Sequence, residues 1–587
     1  MIPSGTIFSF IREQENLYIK SVEITEGYSW SMKDHIRRCF LYKHSQFEEK
    51  NEDRELRPFK NIVRGILDVR YRTEGFDVKD IELYVNDPDN YFKSFLIKKF
   101  HEDWAPQNKI DTLIDEIVES ASDYGAALVK NVNEVKPEVV DLQTIAFCNQ
   151  HNFLSRPFGI KHYMSPDELR DMESSGWGTK GATISIEDLI ILTKDDQSKN
   201  NGDIEIYEVH GTLPGDWLEG EAKKGIKQMQ VVAYYRKENG DEQGVTLFKS
   251  KTPKELFKFI NPDPVFNRAL GWSCIEALFE PQTWTNFSEI TMMEMLASAS
   301  KILFKATDPA FKTRNNLSGV SNMEVLTLQE GRDITQLDTA PRNIAVFENA
   351  IRKWQEQAMY IESSNEAVLG ETPTAGTPFK LFEAQQIAGT GTHKYRQGKY
   401  AVAMDEIYRD WILPHLAKEI TKGQKFLAEL SSDELQTIVE QIVSNHANRT
   451  QVEKIISGDY DPSTLKEEIE QLKLDTREGF LKKGNKHFVE ILKDELKDAP
   501  IKVHANIVGK QKNLAMMTDK VVYLIKQFIA TPEIRQDPEM VKLLNIVLES
   551  SGMSPIIFGA SRPQQPMQMQ QPQGNTQPLQ ALAQASA

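Results

Sequence analysis

Residues 343–420 restrict the possible folds more than any other stretch. Phe347, Ile351, Trp354, Ala358 and Ile361 step by 4, 3, 4 and 3 positions. That spacing lays one apolar stripe along a continuous helix from about Asn343 to Ser364, roughly 33 Å long. The next residues, Asn365-Glu-Ala-Val-Leu-Gly-Glu-Thr-Pro-Thr-Ala-Gly-Thr-Pro, cannot continue it. Pro373 and Pro378 lack the backbone donor, and Gly376 favours a turn. A further helix starts near Phe379 and runs to about Ile420, interrupted at Gly389-Thr-Gly391 and at Pro414. Two long helices thus flank a loop of about a dozen residues, and a loop of that length with no structure of its own tends to be functional.

Upstream the patterns alternate. Ile110, Leu113, Ile114, Ile117, Val118 and Ala121 follow helical spacing, Tyr124-Gly125 ends that helix, and strands are expected at Ala126-Ala-Leu-Val-Lys and Val139-Val-Asp-Leu. Ser165 is placed as the N-cap of a helix beginning at Pro166. Strand signals follow at residues 204–210, 229–235 and 244–248, with Glu238-Asn-Gly-Asp as a hairpin turn. From Ser273 a long helix carries Ile275, Leu278, Phe279, Trp284, Met292, Met295, Leu296 and Ile302, kinked or restarted at Pro281. Residues 306–343 read as a compact insertion, punctuated by Asp308-Pro, Asn315-Asn, Ser318-Gly and Gly331. Residues 1–60 and 421–560 read as charged and helical, and the Gln/Pro-rich end from Arg562 as a tail that cannot order itself. The fold class is α+β, mainly α. Arg64, Arg70 and Arg72, set among apolar residues, could meet phosphate, but the solvated face of a packed element is the commoner role.

At about 150 residues per domain, 587 residues suggest three to four domains. A formal net charge of −16 excludes a globally basic nucleic-acid binder. Cys39, Cys148 and Cys274 are far apart and form no CxxC, so neither a zinc ribbon nor a disulfide framework is expected. The start shows no signal-peptide pattern, and no apolar run approaches the ~20 residues that span a bilayer. GxxxxGK[ST], HExxH and GxSxG are absent. Asn86-Asp-Pro-Asp and Asp459-Tyr-Asp sit in turns where aspartate is expected anyway, and Glu276 and Glu280 read as a solvated helix face. No enzyme, metal site or cofactor is expected.

Three segments carry a resemblance. Asn261-Pro-Asp-Pro-Val-Phe-Asn-Arg-Ala-Leu-Gly-Trp-Ser-Cys-Ile-Glu-Ala-Leu-Phe-Glu-Pro-Gln leads into the first long helix. Glu366-Ala-Val-Leu-Gly-Glu-Thr is followed by Pro378-Phe-Lys-Leu-Phe-Glu-Ala, and Tyr124-Gly-Ala-Ala-Leu-Val joins a helix to a strand. In this order, over about residues 55–430, they resemble the portal proteins of tailed bacteriophages. The resemblance implies a wing over residues 1–265, a first stem helix over 266–305, a clip over 306–343 and a second long helix over 344–364. A channel loop over 365–378, a kinked wing helix over 379–420, a helical crown over 421–560 and a tail over 561–587 complete it. It also implies a dodecameric ring at one capsid vertex of a virion, assembled in the host cytoplasm. Double-stranded DNA passes through such a ring during packaging and ejection. The partners implied are the major capsid protein, the terminase large subunit and head-completion or tail adaptor proteins.

Residue expectations follow from that resemblance. Glu366, Leu369, Gly370, Glu371, Thr372, Pro373, Thr374 and Gly376 would form the channel loop. Lys380, Lys394, Arg396 and Lys399 are candidates for DNA contact in the channel, with intersubunit or surface salt bridges as the equal alternative. Lys312 and Arg314 are candidates for partner contact in the clip. Phe347, Ile351, Trp354 and Ile361 are candidates for packing between subunits. An acidic ring would avoid the counterion-releasing grip that stalls sliding DNA. The competing classes are another tail or virion structural protein, a nucleic-acid-processing enzyme and a cellular helical scaffold.

Overall fold

The computed structural model describes residues 4–48, 57–85, 98, 100–102, 104–132, 136–194, 202–219, 225–236, 242–252, 255–299, 303–307, 309–310, 313, 330–337, 344–363 and 391–416. It also describes short pieces within 443–475, and residues 501–505. The channel-loop residues from Glu366 to Gly376 lie outside the described residues, as do Lys380, Lys312, Arg314, the two acidic turns and the tail.

The chain opens with helix α1 (Ser4–Tyr18), hairpin β1 (Val22–Thr25) and β2 (Tyr28–Trp30), and helices α2 (Met32–Lys43) and α3 (Val63–Glu74). Ser31 starts α2 by accepting a hydrogen bond from the Asp34 amide at 3.2 Å, which satisfies one orphan donor of the first turn. After β3 (Ile81–Val85), helix α4 (Ile110–Tyr124) runs into β4 (Ala127–Val132) and β5 (Lys136–Val140). All six apolar positions read from the sequence are buried on α4. The helix ends where Gly125 turns left-handed at φ 90°.

Strands β6 (Ile145–Phe147), β7 (Phe158–Met164), β8 (Ile204–Pro214), β9 (Gly225–Arg236) and β10 (Glu242–Lys251) form an antiparallel sheet ordered β10-β9-β8-β7-β6. Alternation along β8 supplies two cores. Ile204 and Ile206 face one side, where Leu169 of α5 (Pro166–Asp171) and Ile186 and Leu189 of α6 (Ile186–Leu192) cover them. Tyr207, Val209 and Leu213 face the other, beneath Ile7, Phe8 and Ile11 of α1. Burying each such side chain contributes about 1.5–3 kcal/mol. Ser165 begins α5 with a reciprocal capping box, its hydroxyl taking the Glu168 amide while Glu168 takes the Ser165 amide at 2.8 Å.

β11 (Phe257–Ile260) joins the edge of β4, giving a second sheet ordered β11-β4-β5. The loop after β11 returns to the end of α4, and Gly271 donates to the Gly125 carbonyl at 3.2 Å. A Cβ at Gly125 would lie 2.3 Å from the Gly271 oxygen. Two sequence segments, one around Tyr124-Gly125 and one ending at Gly271, therefore meet backbone against backbone, and only glycine permits the approach.

The chain then enters α7 (Cys274–Ala277) and restarts as α8 (Phe279–Ala299), so Pro281 sits in the first turn of the new helix, where its missing donor costs least. β12 (Leu303–Ala306) pairs antiparallel with β13 (Ile334–Leu337), and α9 (Ile344–Ile361) returns along α8. Helix α10 (Gly391–Ile407) passes into a π-helical turn, Tyr408–Ile412. Pro414 explains that turn: it has no amide for the Asp410 carbonyl, and its ring pushes that carbonyl aside. The break expected at Pro414 is thus a π-turn rather than an end. α10 and this turn pack Tyr400, Met404, Ile407 and Ile412 on α4.

One departure from the sequence concerns the region expected to be only helical. β14 (Ile501–Ala505) pairs antiparallel with β3, Ile501 opposite Val85 and Ala505 opposite Ile81. Its partner lies some 420 positions away, a pairing no local pattern reveals.

Candidate assembly surface and the charged cluster at its root

Helix α8 is inside out. Its polar residues Gln282, Thr285, Asn286 and Ser288 are buried. Its large apolar residues Trp284, Phe287, Met293 and Leu296 are exposed, Phe287 by 57%. The buried side has work for its amides. Gln282 accepts from the Ile62 amide at 2.9 Å and donates to the Lys60 carbonyl at 2.8 Å. Asn286 accepts from the Lys60 amide at 3.0 Å and from Gln282 at 2.9 Å. The segment leading into α3 thus finds on α8 partners for its backbone amide and carbonyl groups. The apolar side is left for solvent or for another protein.

Helix α9 contributes its predicted stripe to α8 within the same chain. Ile351 and Ala358 are buried, and Phe347 and Trp354 are half-buried. Trp354 stacks on Trp284 with ring centroids 6.3 Å apart and planes 9° apart. Ile361 is exposed. Within the single chain, α8 thus lies against part of the stripe named for packing between subunits. The outer positions are Val346 and Tyr360, exposed by 65% and 82%, together with Trp284 and Phe287. Trp284 and Phe287 adjoin each other, ring centroids 5.7 Å apart, and exposed large apolar side chains that adjoin mark a protein contact.

At the root of this helix pair lies a buried cluster of charge. Glu362 follows α9 and accepts from Arg70 Nη1 at 3.0 Å and Arg396 Nη1 at 3.3 Å. Glu74 accepts from His393 Nδ1 at 3.0 Å and Arg396 Nη1 at 3.2 Å, and pairs with Arg70 Nε at 3.1 Å. Asp263 closes the group on Arg396 Nε at 2.6 Å. Burial disfavours the Glu74 carboxylate, yet Arg70, His393 and Arg396 hold its pKa below the ordinary value. Arg396 is only 8% exposed, and its guanidinium is paired with these carboxylates of the same chain. Arg70 is likewise buried rather than solvated. Lys394 and Lys399 remain exposed on α10, Lys399 at 5.2 Å over the ring of Tyr395.

Glu276 is not a solvated carboxylate either. Arg268 grips it bidentately, both N–O distances 2.8 Å, and donates its other protons to the Leu270 and Gly271 carbonyls. Among the described residues no group of histidine, cysteine, aspartate and glutamate side chains could hold a metal ion. Among them, too, no helix is long and apolar enough to cross a membrane. Sequence reasoning missed Phe287, Val346, Tyr360 and the Glu74–Glu362 pair. No sequence signal pointed to the first, because a polar face at Gln282, Asn286 and Glu289 is ordinarily the solvated one.

No family model matches the chain, and no curated protein does. Among solved structures, a chain of the virion of a native gene transfer agent particle is 10% identical at a TM-score of 0.26, over 65% of this chain and 83% of the other. A chain from the neck of the native particle, computed with C12 symmetry, is 9% identical at 0.29, over 64% and 89%. One from the neck of the empty particle, computed with C6 symmetry, is 8% identical at 0.28, over 64% and 88%.

Proposed function

We propose that this chain is a portal-type structural subunit, without catalytic activity, that assembles head to tail into a ring. In that role the ring stands at a virion vertex, passes double-stranded DNA, and offers the β12–β13 end of the helix pair to terminase and then to head-completion or tail proteins. The observation that carries the reading is the inverted helix α8. A helix that buries its amides and exposes Trp284, Phe287, Met293 and Leu296 needs a neighbour, and a head-to-tail contact repeated around an axis closes into a ring. The order of the three sequence segments that resemble portal proteins supports the same conclusion. So does the charge: twelve copies at −16 each carry about −190, which repels phosphate rather than binding it.

Mass photometry with negative-stain microscopy tests this. Twelve copies of 67.0 kDa should give particles of about 800 kDa with a central hole about as wide as duplex DNA. A compact dimer or an open filament would overturn it. ATP hydrolysis or DNA cleavage by the purified protein would overturn the non-enzymatic part.

A further inference from the structure

The charged cluster has a geometry beyond that of an ordinary buried network. Glu362 lies just after α9, and His393 and Arg396 lie in the first turns of α10, so the cluster joins the two helix ends that bracket residues 364–390. Arg70 and Glu74 of α3 and Asp263 of the loop after β11 anchor both ends from below. The ends also touch directly, Ser363 Oγ standing 3.3 Å from Thr392 Oγ1. Ser363 has φ 54°, a left-handed conformation that a non-glycine residue adopts only where its surroundings hold it. Contacts among the described residues on either side of residues 364–390 therefore hold the two helix ends together.

We propose that Arg70, Glu74, Glu362, His393 and Arg396 form an ionic clasp that fixes the end of α9 to the start of α10. The two helices then move as one unit, and any displacement of the α8–α9 pair passes into α10 and its π-turn instead of being absorbed between them. Burial makes the clasp all-or-none. Removing one charge leaves its partners desolvated and uncompensated, which is far more costly than the pair is stabilising. The clasp does not depend on ring formation.

The double substitution Ser363→Cys/Thr392→Cys reads the clasp out. The native thiols do not interfere, since Cys39 and Cys274 are buried and Cys148 is half-buried. The rate of disulfide formation with oxidised glutathione reports the effective concentration of the two thiols. With the native charges, the bond is expected to form rapidly and completely. Added Glu362→Gln or Arg396→Gln should slow it about tenfold or more in protein that remains folded by thermal melting, with Arg396→Lys intermediate because it keeps the charge but loses the fork. Equal rates in all folded variants would overturn the clasp. A second measurement avoids the charge variants. A protease site inserted between Thr374 and Ala375 is cut in the cysteine pair with native charges. An unchanged rate supports the clasp, and a collapse of the rate shows that the intervening chain, not the charges, holds the ends together.

Discussion

Trp284 and Trp354 stack nearly parallel and offset between helices α8 and α9, their centroids 6.3 Å apart and their planes 9° apart. Stacking of this kind contributes about 0.5–1.5 kcal/mol beyond area burial. A double-mutant cycle of Trp284→Ala and Trp354→Ala, read by urea unfolding, should show a coupling of that size. Zero coupling would mean that the two rings merely share a surface.

Phe287→Glu should abolish assembly while leaving the melting temperature of the monomer nearly unchanged, because the ring is 57% exposed in the single chain. Sizing by mass photometry decides it. A ring of unaltered mass would remove α8 from the assembly surface.

Gln282→Leu should destabilise the fold by about 1–3 kcal/mol, although it makes a buried position more apolar. The Ile62 amide and the Lys60 carbonyl would lose their partner on the buried Gln282 side chain. Denaturant midpoints compared with wild type test this, and a stabilised variant would contradict the inside-out assignment of α8.

Gly125→Ala should prevent folding or cost more than about 3 kcal/mol, since it combines positive φ with a Cβ driven into the Gly271 carbonyl. Soluble yield and thermal melting measure it, and near-native stability would show that the two backbones can separate cheaply.

Acid should loosen the protein in the range where histidine titrates. Burial pushes His35 and His101 down to about 4 from an ordinary 6.5. For His35 the nearby Glu276 works against that shift and Arg268 with it. A histidine that stays neutral when folded takes up its proton on unfolding, so stability is full above about pH 6.5 and falls as the pH drops towards 4, by up to about 3 kcal/mol per group. Urea midpoints at pH 7.5, 6 and 5 should decline in that order, and His101→Gln should flatten the slope. The carboxylates of Glu74 and Glu208, held below their ordinary value, give a further loss with the same sign at lower pH, below about 4.5. A midpoint independent of pH from 7.5 to 5 would contradict the buried neutral state.

The local features were legible because their causes are local. The N-cap at Ser165 acts within one turn, and the stripe on α4 spans about three turns, so spacing alone reveals both. The strands at 204–214, 225–236 and 242–251 show through their β-branched and aromatic runs. The surroundings of Arg396 were not legible for the opposite reason. Its partners Glu74 and Asp263 are 322 and 133 positions away, and a lysine- and arginine-bearing helix start looks equally suited to a phosphate and to a buried carboxylate.

What the sequence determined by itself was part of the elements: an α+β front half, a long helix restarting at Pro281, a second helix with one apolar stripe, and a third with its break near Pro414. Each follows from periodicity, capping and the missing amide of proline, which act within a few residues. Only the tertiary structure decided which faces are covered. It turned the polar side of α8 inward because the backbone at Lys60 and Ile62 needed partners there. It gave the stripe of α9 to α8, and it gathered Arg70, Glu74, Glu362, His393 and Arg396 at one point, because charges taken out of water must find one another whatever their distance along the chain.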